Sequence, residues 1–223
     1  MRFHPNVVFM HHTIALILKK EEWNEADWLV TALARDFGKI RLLAQGARKH
    51  GAKLQGHLEP GCIAELSFVV GKNGYRLTTA RLREFFPAIR SSFSKLRALT
   101  MALALLDINL LEEREGAQEV FRTAEECLQL LSRAEHLAAL RRPLVWLQAR
   151  LLYFLGVLPH HESIEASHSA ALLGFAHLAP SEVEDALIDE VRLEAELEWL
   201  RKCLGSAVTF PPRLGLLDLA PHF

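Results

Sequence analysis

Basic residues are concentrated in one segment of the sequence, from Phe37 to Leu58, which reads FGKIRLLAQGARKHGAKLQGHL and contains no Asp or Glu. We call it the basic segment. Its cations are Lys39, Arg41, Arg48, Lys49 and Lys53. Ammonium and guanidinium groups bind phosphates, and glycines at intervals allow the backbone to bend along a polyanion. The segment therefore predicts a nucleic-acid contact, and the alternative interpretation is a solvated surface loop.

The hydrophobic pattern around the basic segment predicts five strands. They are Thr13–Leu18, Asp27–Ala34, a third strand that starts at Lys39, Cys62–Val70 and Tyr75–Arg83. The charged run Lys19–Glu22 and the Asn-Gly dipeptide within Gly71–Gly74 are predicted turns. Five short strands with one long loop between the third and the fourth predict a small OB-fold β-barrel, with an SH3-like barrel as the rival.

Barrels of the OB type commonly bind single-stranded nucleic acid with basic groups on the backbone and aromatic rings on the bases. Five aromatic residues are available near the predicted strands, although core packing is the favoured interpretation for most of them: Trp23, Trp28, Phe37, Phe68 and Tyr75. We add Arg76, on the predicted fifth strand, to the cations of the basic segment. The predicted nucleic-acid-binding residues are then Lys39, Arg41, Arg48, Lys49, Lys53 and Arg76.

The chain changes character after Pro87, where leucines recur at helical spacing. The predicted helices are one capped by Ser94 that ends near Gly116, Ala117–Ser132, Glu135–Leu155, a short one over Ser169–Phe175, and a last one from a capping box at Ser181–Glu184 to Gly205. Pro143 should kink or break the third. The predicted fold is therefore α+β, with an OB-fold barrel in residues 1–83 and an all-α domain in residues 84–223.

The two predicted domains carry opposite charge. Residues 1–83 contain 13 Lys and Arg against 7 Asp and Glu, whereas residues 84–223 contain 13 against 20. We expect only the first domain to meet a polyanion. The acidic run from Glu182 to Glu198 is interpreted as a solvated helix face, with docking of a basic partner as the alternative.

Signatures of catalysis are missing from the sequence. It contains no GxSxG, GxxxxGK[ST] or GxGxxG motif, so we expect no enzyme activity, no catalytic residues and no cofactor. The histidines of the segment His160–His177, with Glu162, could hold zinc, but their spacing fits no recognised signature. We therefore predict no metal site, and a metal-dependent enzyme is the weakest of three hypotheses.

Cys62, Cys127 and Cys203 are far apart and odd in number, which is typical of a reducing cytoplasm. The apolar run Val7–Met10 is too short for a signal peptide, and no window is long enough to cross a membrane. We expect a cytoplasmic protein without membrane contact, and a monomer by default.

Residues 13–60 resemble the bacterial recombination mediator family RecO. The resemblance rests on Glu25-Ala26-Asp27, Phe37-Gly38-Lys39-Ile40-Arg41, Gly46-Ala47-Arg48-Lys49 and the segment Leu54–Pro60. It implies an N-terminal OB-fold followed by a helical domain. It also implies binding of single- and double-stranded DNA, annealing of complementary strands, and loading of RecA together with RecR onto DNA coated by single-strand-binding protein, whose acidic C-terminal tail the family contacts.

The chain departs from the family pattern after Pro159. Many members carry a zinc module of four cysteines there, and this chain has none, so it resembles a divergent member. Arg141 and Arg142 are candidates to anchor the acidic tail, with a structural role as the alternative. The leading hypothesis is a non-enzymatic DNA-repair mediator. The competing one is a protein-interaction adaptor of the same fold with little DNA affinity.

Overall fold

The protein is described by a computed structural model that covers residues 9–71, 74–110, 112, 116–158, 170–187, 192, 195 and 196. These residues form two compact units. One unit extends to Phe85 and includes the described residues between Leu111 and Phe121, and the other consists of Phe86–Leu110 and the described residues from Arg122 onward.

The first unit is a closed β-barrel. Its strands are β1 (Met10–Trp23), β2 (Asp27–Ala34), β3 (Gly38–Ala44), β4 (Ile63–Gly71) and β5 (Gly74–Glu84). They follow the order β1-β2-β3-β5-β4, and β1 closes the sheet by pairing with β4. The β3–β5 pair is parallel and the others are antiparallel. This is the arrangement of an OB-fold, so the predicted fold class is confirmed and the SH3-like rival is excluded.

Strand β1 is longer than predicted, and the predicted turn at Lys19–Glu22 is wrong. The strand continues to Trp23, with a bulge between Ile17 and Lys19 that shifts its register with β2. The turn lies after Trp23 instead, at Asn24, whose φ of 55° is accommodated by a short polar side chain. The charged run Lys19–Glu22 is therefore the half-exposed last part of strand β1 and not a turn that ends the strand.

Alternation along the strands builds the barrel core. Residues facing inward are buried, among them Ala15, Ile17, Val30, Ala32, Ile40, Leu42, Leu66, Phe68 and Leu77. Two residues from the long loop between β3 and β4, Ala47 and Leu58, are also buried in this core. The loop contains a single 3-10 turn at Gln55–His57. Since the loop contributes to the core, it is part of the barrel rather than a loose arm.

The described helices are α1 (Pro87–Arg90), α2 (Phe93–Asn109), α3 (Ala117–Arg133), α4 (Leu137–Phe154), α5 (Ala170–His177) and α6 (Pro180–Val183). Helix α4 continues through Pro143 without a break. Helices α2 and α4 pack together in the second unit, as do α4 and α5. None of the described helices is long and apolar enough to cross a membrane.

Three predicted helix boundaries are corrected. Ser92, rather than Ser94, caps α2, because Ser92 has extended backbone angles and its side chain accepts from the N–H of Lys95 at 3.5 Å. The helix ends at Asn109, before the predicted Gly116. Ser181 lies inside α6 and is not its cap. The N–H of Ala179 instead donates to Glu182 at 2.7 Å.

The predicted last helix is not continuous from Ser181. Helix α6 ends at Val183, and Glu184 and Asp185 form a turn. Most of the predicted helix, and half of the eight acidic residues in its acidic run, lie outside the described residues. Glu182, Glu184 and Asp185 are exposed, whereas the interpretation as a solvated face is wrong for Glu196. Glu196 is buried, and its carboxylate accepts from the N–H groups of Ala171 and Leu172, which satisfies the first turn of α5.

Hydrogen bonds connect α4 to α3 and to the segment around α6 in the second unit. The Trp146 Nε1 donates to the Leu178 carbonyl at 3.0 Å, and the Arg142 guanidinium donates to the Glu184 carbonyl. The Cys127 Sγ donates to the Pro143 carbonyl at 3.4 Å. Complete burial raises the pKa of the Cys127 thiol far above its ordinary value, because the thiolate would be desolvated.

Candidate functional site

A groove with a volume of about 570 Å³ lies on the outside of the barrel, where β3 meets β5. We call it the barrel groove. Its lining includes Trp23, Leu29, Arg41, Leu43, Val70, Tyr75 and Glu112. Glu112 follows α2, and the other side chains come from the ends of β1 and β4, from β2 and β3, and from the start of β5. This is the face with which OB-folds bind oligonucleotides.

Strand alternation positions the cations at the groove. In β3, Ile40 and Leu42 face the core, so Lys39, Arg41 and Leu43 face outward. The parallel register pairs Leu43 with Arg76 on β5. Arg41 and Arg76 are exposed, and Arg41 lines the groove. Three of the predicted nucleic-acid contacts, Lys39, Arg41 and Arg76, are therefore brought to one face of the barrel.

Aromatic and aliphatic side chains are left open to solvent beside these cations. Trp23 is 48% exposed and Val70 is 60% exposed. Tyr75 also lines the groove, and its ring packs edge-on against the buried Phe68 with the centroids 5.0 Å apart. Because Phe68 fixes one edge of Tyr75, the groove holds an aromatic ring in a set orientation next to Arg41.

The other aromatic residues singled out in the sequence pack inside the barrel. Phe68 is fully buried, and Phe37 packs against it with the ring centroids 5.2 Å apart. Trp28 packs against the same core. These rings are therefore structural. Tyr75 is half-buried and packs against the same core, but it also lines the groove, as does Trp23.

Glu112 is an acidic member of the groove that sequence reasoning missed. Its backbone forms a parallel bridge with Lys39, and its exposed side chain lines the groove. Pairing between β3 and β5 is confined to Leu42–Tyr75 and Leu43–Arg76, which leaves the edge of β3 at Lys39 open to this bridge. No local pattern around Glu112 indicates a strand contact, so the sequence offered no signal for it.

Arg48, at the start of the loop that follows β3, is held by contacts with three residues of β1, β2 and the turn between them. Its guanidinium lies 3.0 Å from the Glu22 carboxylate, donates to the Asn24 carbonyl at 3.0 Å and covers the Trp28 ring at 5.3 Å. Lys20 lies 5.0 Å from the same ring. Arg48 thus attaches the loop to the turn after Trp23, at one end of the barrel groove.

The loop is fixed further by backbone contacts. The N–H of Gly46 donates to the Asp27 carboxylate at 2.8 Å, and Gly46 has a φ of 68°, which favours glycine. Lys49 and Lys53 are both exposed and have no ion pair among the described residues. Neither lines the groove. Their ammonium groups are therefore accessible to an anionic partner.

Of the candidate metal ligands in the histidine segment, His160, His161, Glu162 and His168 lie outside the described residues, and His177 lies within them. Within the described part, the ring of His177 packs edge-on against Tyr153 at 5.0 Å. No group of three or more His, Cys, Asp or Glu residues is placed to hold a metal in the part of the chain that the structure describes.

The N-terminal segment is similar to a known family. Residues 9–86 match the family model described as recombination protein O N terminal. That segment contains all five strands and every predicted nucleic-acid-binding residue.

Curated relatives extend the similarity beyond the barrel. One from Desulforamulus reducens, called DNA repair protein RecO, is 30% identical over 145 residues, which are 65% of this chain and 55% of the relative. Proteins of the same name from Clostridium perfringens and Gloeothece citriformis are 29% and 32% identical, over 52% of this chain in each case and 47% and 43% of the relatives. The chain therefore spans about half the length of the curated relatives it matches.

Proposed function

We propose a role in DNA repair for this chain, because its residues 9–86 belong to the recombination protein O N-terminal family. The name of the relatives, DNA repair protein RecO, supports this role. The activity that we assign to the barrel is binding of DNA, above all single-stranded DNA, along the barrel groove. The protein acts by binding alone, without catalytic residues, metal or cofactor, and in the cytoplasm.

One observation carries the proposal. The barrel groove combines the exposed Arg41 with two aromatic rings, Trp23 and Tyr75. A single strand presents a phosphate chain and unpaired bases at the same time, and a groove with a cation next to rings can engage both. Stacking on a ring is tolerant of sequence because every base has a flat face, so we expect little sequence preference.

The loop extends this site. Lys49 and Lys53 would bind phosphates of a strand that leaves the groove beside Arg48. Neutralising phosphates also lowers the repulsion between two strands, which is the basis on which we propose annealing of complementary strands. Double-stranded DNA would bind more weakly, through its phosphates alone, since its bases are stacked away from Trp23 and Tyr75.

The partners that we propose follow from the family resemblance. They are RecR, the acidic C-terminal tail of single-strand-binding protein and, indirectly, RecA. We assign these contacts to the second unit, which we call the helical unit, because the excess of acidic over basic residues after residue 83, 20 against 13, makes that part of the chain a poor DNA surface. Arg142, one of the two arginines considered for the acidic tail, donates to the Glu184 carbonyl, which favours a structural role for it.

The test is a salt series with a labelled single-stranded oligonucleotide of about 8 nucleotides. Four predicted contacts are exposed, namely Arg41, Arg76, Lys49 and Lys53. If each neutralises one phosphate, the logarithm of the association constant should fall against the logarithm of salt with a slope of about −2.8. Arg41→Ala should flatten this slope to about −2.1. Wild-type protein that fails to bind at low salt would refute the proposal.

The exposed Arg122, in the helical unit, provides the matched control for loss of one positive charge. Arg122→Ala should bind the oligonucleotide like the wild type. If it weakens binding as much as Arg41→Ala does, net charge rather than the barrel groove controls the affinity.

A protein-interaction adaptor with little DNA affinity is the second candidate function. It is favoured by Glu112, whose carboxylate lies in the barrel groove and opposes phosphate. Binding at physiological salt separates the two, because the adaptor would show none there while keeping its protein partners.

A further inference from the structure

A second depression lies on another part of the barrel surface, across β1, β4 and β5. Its volume is about 510 Å³, and its polar lining includes His12, Arg35, Ser67, Thr79 and Arg81. The barrel groove uses the start of β5 at Tyr75, and this depression uses residues Thr79 and Arg81 further along the same strand. Strand β5 therefore runs from one depression to the other.

A bulge in β5 keeps the basic side chains on the outside over this distance. Leu77 pairs with Phe68 and Thr79 pairs with Ser67, which leaves Thr78 as an extra residue. The hydroxyl of Thr78 donates to the Ser67 carbonyl at 2.8 Å and so stays at the bulge. Because the extra residue shifts the alternation by one, Ala80 faces inward, and Arg76, Thr79 and Arg81 are all exposed.

Arg81 lies opposite Glu65 of β4, an acidic residue that lines the same depression, but the two side chains do not form an ion pair. The Glu65 carboxylate is paired with Arg83 at 3.5 Å, and the Arg35 guanidinium is paired with Asp36 at 3.3 Å. Arg81 has no ion pair among the described residues. Beside it, the His12 ring is hydrogen-bonded to the Ser67 hydroxyl at 2.9 Å. A guanidinium flanked by hydroxyl and imidazole groups is a suitable partner for phosphate oxygens.

We propose that β5 carries a single strand of nucleic acid out of the barrel groove, past Arg76, into this second depression, where Arg81 binds its phosphates. The inference rests on the proposed function, since it extends the path of the same nucleic-acid strand. From Arg76 to Arg81 the β-strand β5 rises by roughly 15 Å, a length that spans several phosphates of the nucleic acid. The lining residues of the second depression include no Phe, Tyr or Trp, and the His12 ring is held by its hydrogen bond to Ser67, so this depression binds mainly the backbone of the strand.

The experiment compares oligonucleotides of about 8 and about 16 nucleotides in a salt series, with both lengths inside the range that one OB-fold covers. For the wild type, the longer strand should steepen the salt slope by about 0.7, which is one extra phosphate neutralised. Arg81→Ala should abolish that increment and leave binding of the shorter strand unchanged. Arg81→Lys, which keeps the charge, should retain most of it.

Arg122→Ala is again the matched control and should keep the length-dependent increment. The outcomes separate the two proposals. If the wild type binds neither oligonucleotide, the proposed function fails. If it binds the shorter one with the expected slope, but the slope does not change with length, or Arg81→Ala behaves like Arg122→Ala, the extension along β5 is wrong and the proposed function stands. Thermal unfolding of each variant confirms that the barrel is folded.

Discussion

The Arg48 guanidinium lies 3.0 Å from the Glu22 carboxylate and is bound at the same time by the Asn24 carbonyl. It is therefore held by the first turn of the barrel, with its charge largely offset. Lys49, the next residue, is exposed and unpaired among the described residues. Two neighbouring cations that look equivalent in the sequence thus have different surroundings, and we expect them to act differently.

The first prediction separates these two roles. Arg48→Ala should lower the free energy of unfolding by about 1 kcal/mol, chiefly through the lost hydrogen bond to the Asn24 carbonyl, since an exposed ion pair contributes little. Its salt slope should change little. The double variant Lys49→Ala, Lys53→Ala should keep wild-type stability and flatten the salt slope by about 1.4, because two phosphates are no longer neutralised. Urea unfolding and binding titrations measure both effects.

The opposite pattern would contradict this division of roles. If Arg48→Ala flattened the slope and left stability unchanged, the guanidinium would exchange Glu22 for phosphate on binding.

The second prediction concerns base stacking on Trp23. Trp23 is 48% exposed, whereas Trp28 packs against the core and Trp146 is fully buried. Among these three tryptophans of the described residues, a bound single strand should therefore quench fluorescence mainly at Trp23. Trp23→Ala should lower affinity about tenfold, in line with the loss of one stacked base, and in a Trp199→Phe background it should remove most of the quenching. Because the change preserves every cation, the salt slope should stay the same. A slope that falls with Trp23→Ala would mean that the strand no longer enters the barrel groove.

The third prediction concerns the acidic side chain in the barrel groove. Glu112→Gln removes the negative charge but preserves the shape, so it should tighten DNA binding about threefold at low salt, with less effect at high salt where the repulsion is screened. Glu119→Gln, an exposed glutamate at the start of α3, is the control and should have no effect. Equal gains from both variants would indicate a general effect of net charge.

The fourth prediction uses the buried thiol. Burial raises the pKa of Cys127 in the folded protein, so the folded state holds its proton at a pH where the unfolded state, with a thiol pKa near 8.5, loses it. The contribution of Cys127 to the free energy of unfolding is therefore complete below the thiol pKa of the unfolded state, and it declines as the pH rises above that pKa. Between about pH 7.5 and pH 9.5 the decline should be about 1.4 kcal/mol.

Urea unfolding at both pH values measures that decline, and Cys127→Ala is its comparison. The variant is expected to be less stable at every pH, but its stability should fall by about 1.4 kcal/mol less over the interval. An identical fall in both proteins would show that Cys127 does not ionise differently on unfolding.

The strand pattern was readable from the sequence where alternation was regular. Lys39, Ile40, Arg41 and Leu42 alternate, and β3 and its outward cations follow directly from them. The cap of α2 was harder to predict, since Ser92 and Ser94 flank Phe93 and only the backbone angles separate them. The end of β1 was missed because a bulge after Ile17 lets charged residues continue a strand.

Much of the barrel groove depends on contacts between distant parts of the chain. Arg41 and Arg76 were predicted as binding residues, but their proximity comes from the parallel β3–β5 register, which no local pattern encodes. Glu112 reaches β3 from after α2, so its place is set by tertiary packing. The ion pair between Arg48 and Glu22 likewise depends on the length of β1, because the longer strand brings the Glu22 carboxylate to the turn after Trp23.

Photo-crosslinking tests the central claim most directly. A single-stranded oligonucleotide that carries bromodeoxyuridine is bound to the full chain, irradiated, and the modified residues are identified by mass spectrometry. We predict crosslinks at Trp23 or Tyr75, with loss of the Trp23 product in Trp23→Ala. Crosslinks confined to the helical unit, with none in the barrel groove, would contradict the account.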